Sequence, residues 1–465
     1  MYDLVVIGSG PGGYIAAIRA AQLGMDVACI ERYPTYGGTC LNVGCIPSKA
    51  LLESSHRYAD AEHEFEDHGI EIGDLELDLD TMQTRKESVV SSLVKGVEFL
   101  FNKNGVDGFT GWGTIVDDST VEVADDDGEV VETLETDNII IATGSKATEL
   151  PGAEFDDEYI VNSTGALEFD EVPDELVVIG AGVIGLELGS VWSRLGADVT
   201  VLEYLPEVFG GRMDEELAKK AKQLFSKQGI DFVMEAEVTG ADVDDGTVVT
   251  TYNHDGEEKT IESDRLLVGI GRHPFTDNLG LDNIGLETND RGFIEVDEHF
   301  QTDIDGVYAI GDVIPGPMLA HLAEHEGVVC VERINDIAGH VNYDAVPDVV
   351  YTHPELASVG KTEAELDDAG IDYKTGNFDF KANGRARALN DTEGFCKILA
   401  DADTDEILGA HIIGPHAGDM IAELAVAMEF ASSAEDVARS SHAHPTLAEI
   451  VKEAALDVDD RTLNS

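Results

Sequence analysis

Basic residues are scarce in this 465-residue chain: 29 lysines and arginines stand against 94 aspartates and glutamates, a formal net charge of −65. A surface of that sign repels polyanions, which excludes nucleic acid and anionic membranes as partners. Long apolar runs are missing as well. No uncharged stretch reaches the roughly 18 residues of a spanning helix. The strand-like residues 2–7 run straight into a glycine turn, leaving no room for a signal peptide ahead of the fold, so the expected location is cytoplasmic. Cysteine is sparse: Cys29, Cys40, Cys45, Cys330 and Cys396 are an odd set, unlike the framework of a secreted disulfide scaffold. Only Cys40 and Cys45 are close in sequence.

What is present is otherwise ordinary. Apolar residues make up 43% and charged residues 26% of the chain, a globular mixture in which acids have displaced bases. The acids are scattered, with short clusters at Ala124–Glu129 and Asp242–Asp245, which reads as solvated faces of folded domains. Concentrated salt makes such a charge tolerable, because the Debye length falls to about 3 Å near 1 M. A halophilic habitat is therefore expected, and a chain that folds and works best in dilute buffer contradicts it. The length suggests about three domains.

Two stretches carry the same device. An apolar strand Leu4–Ile7 enters Gly8-Ser-Gly10-Pro-Gly-Gly13, a helix follows over Tyr14–Leu23, and a second strand Asp26–Ile30 ends at Glu31. Gly8 permits the tight turn, Gly10 lets backbone approach a pyrophosphate, Gly13 allows close helix–strand packing, and the helix start supplies free N–H groups. Glu31 is placed to accept the ribose hydroxyls. Further on, strand Leu176–Ile179 enters Gly180-Ala-Gly182-Val-Ile-Gly185, with a helix to Leu195, strand Asp198–Leu202, and Glu203. First glycine and acid are 23 residues apart in both copies. One copy alone would be a weak signal; two matched copies predict two bound dinucleotides. A flavin and a nicotinamide can pass a hydride between them, whereas two nicotinamides would have little to exchange. No arginine lies between Glu203 and Arg212, and a carboxylate at 203 opposes a 2′-phosphate, so NAD is expected over NADP.

Between the first ribose acid and the next helix stands Gly37-Gly-Thr-Cys40-Leu-Asn-Val-Gly-Cys45-Ile-Pro47-Ser-Lys49. Five residues along an ideal helix turn side chains by about 140°, so a Cys40–Cys45 bridge requires a distorted helix start, which Gly44 and Pro47 permit. A thiolate at Cys45 would lie near a helix N-terminus and one turn from Lys49, and both favour the thiolate. Two buried structural thiols are the plainer alternative. Cys29, Cys330 and Cys396 sit in apolar settings and read as packing residues.

The 37–49 segment resembles the signature of the class I pyridine nucleotide-disulfide oxidoreductases, and within them the lipoamide branch. The resemblance extends through Ala142-Thr-Gly144-Ser145, Gly269-Ile-Gly-Arg272, Thr302–Asp312 and His442-Ala-His444-Pro-Thr-Leu-Ala-Glu449, covering essentially the whole chain. It implies an α/β fold with two Rossmann-like dinucleotide-binding domains, for FAD and NAD, plus a C-terminal α+β dimerisation domain. The boundaries read as 1–148 (FAD), 149–272 (NAD), 273–342 (return to the FAD domain) and 343–465 (interface). By the same resemblance Thr143, Gly144 and Ser145 close over the flavin, Asp312 bonds its ribityl hydroxyls, Gly113 approaches its adenine, and Met318, Leu319, Ala320 and His321 approach the isoalloxazine. Glu187, Val238 and Gly271 match NAD-contacting positions, and Lys49 is expected to pair with Glu187.

A histidine pair beside a proline reads first as surface or as a weak metal motif. The resemblance instead makes His444 the acid–base group, oriented by Glu449 and reaching the flavin across a homodimer, with Pro445 at a helix start. The implied reaction oxidises a dihydrolipoyl group, carried by a 2-oxoacid dehydrogenase complex or a glycine cleavage carrier, and reduces NAD⁺. Two other readings remain: NAD(P)H-dependent reduction of another disulfide such as glutathione or a coenzyme A type, which Glu203 opposes where NADP is preferred, and a non-catalytic flavin-binding redox sensor.

Overall fold

The computed structural model describes residues 1–464, and the chain divides into two compact units. The first unites residues 1–51, 78–148 and 271–341; the second unites 52–77, 149–270 and 342–464. Residues 52–77, which the sequence groups with the first domain, therefore belong to the second unit, and Gly271 and Arg272 open the return segment rather than closing the NAD domain.

In the first unit, five parallel strands stand in the order Val307–Ala309, Ile139–Ile141, Leu4–Ile7, Val27–Glu31, Asp107–Thr110. Leu4–Ile7 is central and wholly buried, as continuous apolar runs in parallel sheets are. The helix begins at Pro11 rather than Tyr14 and ends at Gln22, because proline in the first turn forfeits no helical hydrogen bond. It packs on the helix Ala320–Ile334, and only glycine allows the approach: a Cβ at Gly327 would stand 2.6 Å from the Gly12 carbonyl oxygen. A three-stranded antiparallel sheet spans Trp112–Glu135.

The second unit repeats the parallel design, ordered Ile230–Val233, Asp198–Leu202, Glu175–Ile179, Arg265–Val268, Ile160–Val161, with an antiparallel three-stranded sheet over Glu237–Ser263. It also holds a five-stranded antiparallel sheet, Asp348–Val350, Glu355–Gly360, Ile407–Gly414, Phe395–Asp401, Tyr373–Asp379. The helix Glu449–Asp457 lies on its last strand, where a Cβ at Gly376 would fall 2.1 Å from the Ala454 carbonyl oxygen. Cys29, Cys330 and Cys396 are fully buried, and burial holds each thiol protonated.

Candidate active site

Gly8 has φ +102, and a Cβ there would stand 2.4 Å from the Ala142 carbonyl oxygen; at Gly13 it would stand 1.9 Å from that of Gly8. At Gly10 a Cβ would meet no atom within 4 Å, and the helix starting beside it has no side-chain cap. That combination fits a pyrophosphate: open space, free N–H groups and a helix dipole of the right sign. Glu31 is buried and accepts from the Ser9 hydroxyl (2.6 Å) and N–H (3.1 Å) on one oxygen and from the Tyr33 N–H (3.1 Å) on the other. These bonds fix the carboxylate while leaving lone pairs for a ribose.

The chain then crosses back over the turn. The Gly37 N–H donates to the Ser9 carbonyl at 3.0 Å, and Gly37 and Gly38 both have positive φ, 107° and 58°. A Cβ at Gly38 would lie 2.6 Å from the Gly10 Cα. Helix Gly38–Val43 carries Cys40, Gly44 breaks it at φ −139 and ψ −116, and Cys45 begins the helix Cys45–His63. A side chain at 44 would press on the Thr39 carbonyl at 2.8 Å. The expected helix distortion is thus a junction between two helices, which brings two thiols, not bridged to each other, into hydrogen-bond contact. Cys45 is exposed and Cys40 partly buried. The hydrogen bond to Cys45 comes first, and burial second, in disfavouring ionisation of Cys40; the Lys49 ammonium opposes both.

Two neighbours of the pair lie outside the sequence reading. Tyr14 bonds Glu324 at 3.4 Å, and Glu324 adds negative potential at Cys40. Burial, the Glu324 charge and Cys40 push the Tyr14 hydroxyl up to about 12. Glu324 stands one turn into the helix that Leu319 caps and Ala320 and His321 begin, directly after Met318. Asp312 follows strand Val307–Ala309 and accepts the Ser145 hydroxyl at 2.5 Å, while Arg272 donates to the Ser145 hydroxyl (2.8 Å) and carbonyl (2.7 Å). Burial raises the Asp312 carboxyl against the pull of Ser145 and Arg272. Thr143 donates to the Phe275 carbonyl at 2.6 Å, and Gly144 has φ +71 with open space at its Cβ. A Cβ at Gly113 would stand 2.9 Å from the Ile7 side chain.

The second turn repeats the backbone pattern of the first. A Cβ at Gly180 (φ +100) would stand 2.6 Å from the Gly269 carbonyl oxygen and one at Gly185 2.2 Å from that of Gly180, while Gly182 again faces nothing within 4 Å. Glu203 accepts the N–H groups of Ala181 (2.6 Å) and Leu205 (2.8 Å). Phe209 donates its N–H to the Ala181 carbonyl at 2.9 Å, the bond Gly37 makes in the first turn. Glu187, buried in the helix Val183–Arg194, accepts the Tyr351 N–H at 2.9 Å. Lys49 and Glu187 fall in different units. Val238 is the second residue of the antiparallel strand Glu237–Asp244, and Gly271 has φ +120 with open space at its Cβ.

His444 is 77% exposed at its side chain and its Nδ1 bonds a Glu449 oxygen at 2.9 Å. The other Glu449 oxygen accepts the Thr446 N–H at 3.0 Å. Burial pushes this carboxyl up, but the Thr446 and His444 bonds outweigh it and hold it below its ordinary range. Glu449 itself starts the helix, so Pro445 lies in the bend before it and not at the helix start. His442, grouped by sequence with surface histidines, is 7% exposed and bonds Glu423 at 2.7 Å.

Two dinucleotide cradles, a hydrogen-bonded thiol pair beside the first of them, and a carboxylate-held histidine define a disulfide oxidoreductase working between a flavin and a nicotinamide. The comparisons agree. Residues 2–327 match the pyridine nucleotide-disulphide oxidoreductase model and residues 346–455 the dimerisation domain of the same family; the chain belongs to that family. It is 51% identical over 464 residues to the mitochondrial dihydrolipoyl dehydrogenase of Pisum sativum, covering 99% of this chain and 92% of the relative. To the dihydrolipoyl dehydrogenase of Cupriavidus necator it is 52% identical, covering 100% and 99%, and to a leghemoglobin reductase of Glycine max 51%, covering 99% and 88%. Among solved structures, LpdA of Mycobacterium tuberculosis superposes with a TM-score of 0.90 at 26% identity, covering 97% of this chain and 98% of that one.

Proposed function

We propose that this chain is an NAD-dependent dihydrolipoyl dehydrogenase: a homodimeric flavoprotein that oxidises a dihydrolipoyl group to lipoyl and reduces NAD⁺. The observation that carries the reading is the helix junction at Gly44, which sets Cys40 and Cys45 in contact beside the first dinucleotide turn. FAD is held by the Gly8–Gly13 turn, Glu31, Gly113, Thr143, Gly144, Ser145, Asp312 and residues 318–321, with Lys49 beside it. NAD is held by the Gly180–Gly185 turn, Glu187, Glu203, Val238 and Gly271. The open space at Gly10 and at Gly182 fits both groups.

With the pair oxidised, His444, its Nδ1 fixed by Glu449, takes the proton of one substrate thiol through Nε2. The substrate thiolate attacks Cys40, the Cys40–Cys45 bond breaks, and Cys45 leaves as a thiolate. Cys40 is the member of the pair whose ionisation the structure disfavours, so the negative charge falls on Cys45, one helical turn from the Lys49 ammonium. The second substrate thiol then attacks the substrate sulfur bonded to Cys40; its proton passes to the leaving Cys40 sulfur, the first proton stays on His444, and the lipoyl disulfide is released. Bound FAD supplies the two-electron relay from the dithiol to NAD⁺. His444 and Glu449 are supplied across the dimer. The natural substrate is the lipoyl arm of a 2-oxoacid dehydrogenase complex or glycine cleavage carrier, in a salt-rich cytoplasm.

The test compares NAD⁺-dependent oxidation of dihydrolipoamide with NADPH-dependent reduction of glutathione, both in molar KCl. The first is expected to dominate; predominant glutathione reduction, or no activity with either, contradicts the reading.

A further inference from the structure

Lys397 is one of only 29 basic residues, yet it is spent in the interior. Its side chain is 1% exposed, as is that of Asp214, and its ammonium donates to Asp214 at 2.9 Å and Glu363 at 2.5 Å, with Glu216 at 3.4 Å. The residues come from distant stretches. Lys397 lies on the antiparallel strand Phe395–Asp401, Glu363 opens the helix Glu363–Ala369, and Asp214 caps the helix Glu215–Lys227 by accepting the Glu216 N–H at 3.1 Å. That last helix is tied to the 353–397 region twice more, by Lys220 to Glu393 at 2.7 Å and by Gln228 to the His353 carbonyl at 2.7 Å.

The segment before Asp214 covers the second glycine turn. It is pinned at Leu205 to Glu203 and at Phe209 to the Ala181 carbonyl. Phe209 holds φ 64 and ψ 0 with its ring buried, where the first turn uses Gly37. A bulky residue persists in the left-handed region only when its surroundings over-determine it. Here the surroundings are the Ala181 carbonyl on one side and, five residues on, Asp214 held by Lys397.

We infer that Lys397 is a positioning residue for the nicotinamide dinucleotide: by holding Asp214 it keeps segment 205–214 seated, through Phe209, on the Gly180–Gly182 turn. The inference rests on reading that turn as the NAD site. Removing the ammonium frees the far end of the segment, so Phe209 relaxes toward ordinary φ and its bond to Ala181 weakens. NAD affinity falls while the thiol pair is untouched.

The test uses the FAD-loaded enzyme as wild type, Lys397→Met, and Lys397→Met with Asp214→Asn. KM and kcat for NAD⁺ and for dihydrolipoamide are measured together with Tm. In Lys397→Met, KM for NAD⁺ is expected to rise about tenfold with kcat and the dihydrolipoamide KM within about twofold of wild type. The double variant carries no uncompensated buried carboxylate and keeps a cap at 214. Its Tm should return toward wild type while KM for NAD⁺ stays raised, and it decides the matter if the single variant fails to fold. An unchanged KM for NAD⁺ in the double variant overturns the inference, as does a parallel loss in both substrates, which marks mere loosening of the fold. A wild type that does not use NAD⁺ overturns the nucleotide reading, and the inference with it.

Discussion

The two glycine turns of this chain share their bond pattern and differ in what is laid over them. In each, the residue after the first glycine donates its N–H to an acid 22 residues on, and the residue six beyond that acid donates back to its carbonyl. In each turn the returning residue and the one after it have positive φ. In the first turn they are Gly37 and Gly38, which let the Cys40 helix start against Gly10. In the second they are Phe209 and Gly210, and the chain proceeds to a buried ion pair instead. The same cradle therefore becomes a redox site or a plain binding site according to the dozen residues that follow its acid.

The largest expected effect is confined to the first turn. Cys45→Ser should lower dihydrolipoamide oxidation by more than about a thousandfold and leave flavin absorbance intact; loss of flavin as well would show that the two functions of this turn are not separable. Next come paired substitutions at equivalent glycines, where a side chain meets the turn carbonyl. Gly13→Val should yield protein without flavin, and Gly185→Val protein that retains flavin but fails to reduce NAD⁺. If both variants lose flavin, the two turns are not independent sites. Glu449→Gln should reduce kcat about 10- to 100-fold, by releasing the orientation of His444, with NAD⁺ KM unchanged. Arg272→Met, which removes both bonds to Ser145, should weaken FAD retention about tenfold and leave NAD affinity alone, as read by flavin release on dilution.

A last substitution is remote from both turns. Burial, then the charge of Glu64, raises the Asp391 carboxyl to about 6. Its folded value lies above the ordinary value of about 4, so its favourable contribution is complete below pH 4 and is lost as pH rises through 6. Asp391→Asn should therefore stabilise the protein above pH 6 by on the order of 2 kcal/mol and bring no gain near pH 4. Tm at the two pH values reads this, and KM for NAD⁺ should not move.

The sequence made the turns legible because each is a local pattern: glycines, an acid at fixed offset, a proline at the helix start. The cysteine pair and His444–Glu449 were legible for the same reason, being five residues apart at most. What escaped was assembled from a distance. Arg272 meets Ser145 across 127 residues, Tyr14 meets Glu324 across 310, and Lys397 meets Asp214 across 183. Such pairs leave no spacing to read. Lys397 nevertheless left a trace, a lone base in the apolar run Phe395–Leu399 of a chain that has few bases at all. The grouping of residues 52–77 was hidden because a continuous helix, Cys45–His63, runs across the unit boundary.

The net charge separates into two populations under this account. Glu31, Glu203, Asp214, Asp312 and Glu449 are fixed by named donors, whereas the clustered acids of 124–129 and 242–245 are mostly exposed. An anaerobic titration of the FAD-loaded protein with dihydrolipoamide tests whether the first turn joins a flavin to the Cys40–Cys45 pair. One equivalent should produce a long-wavelength absorption band from a thiolate lying against the flavin, present in wild type and absent in Cys45→Ser. A wild type that gains no such band would place the thiol pair away from the flavin and contradict the account.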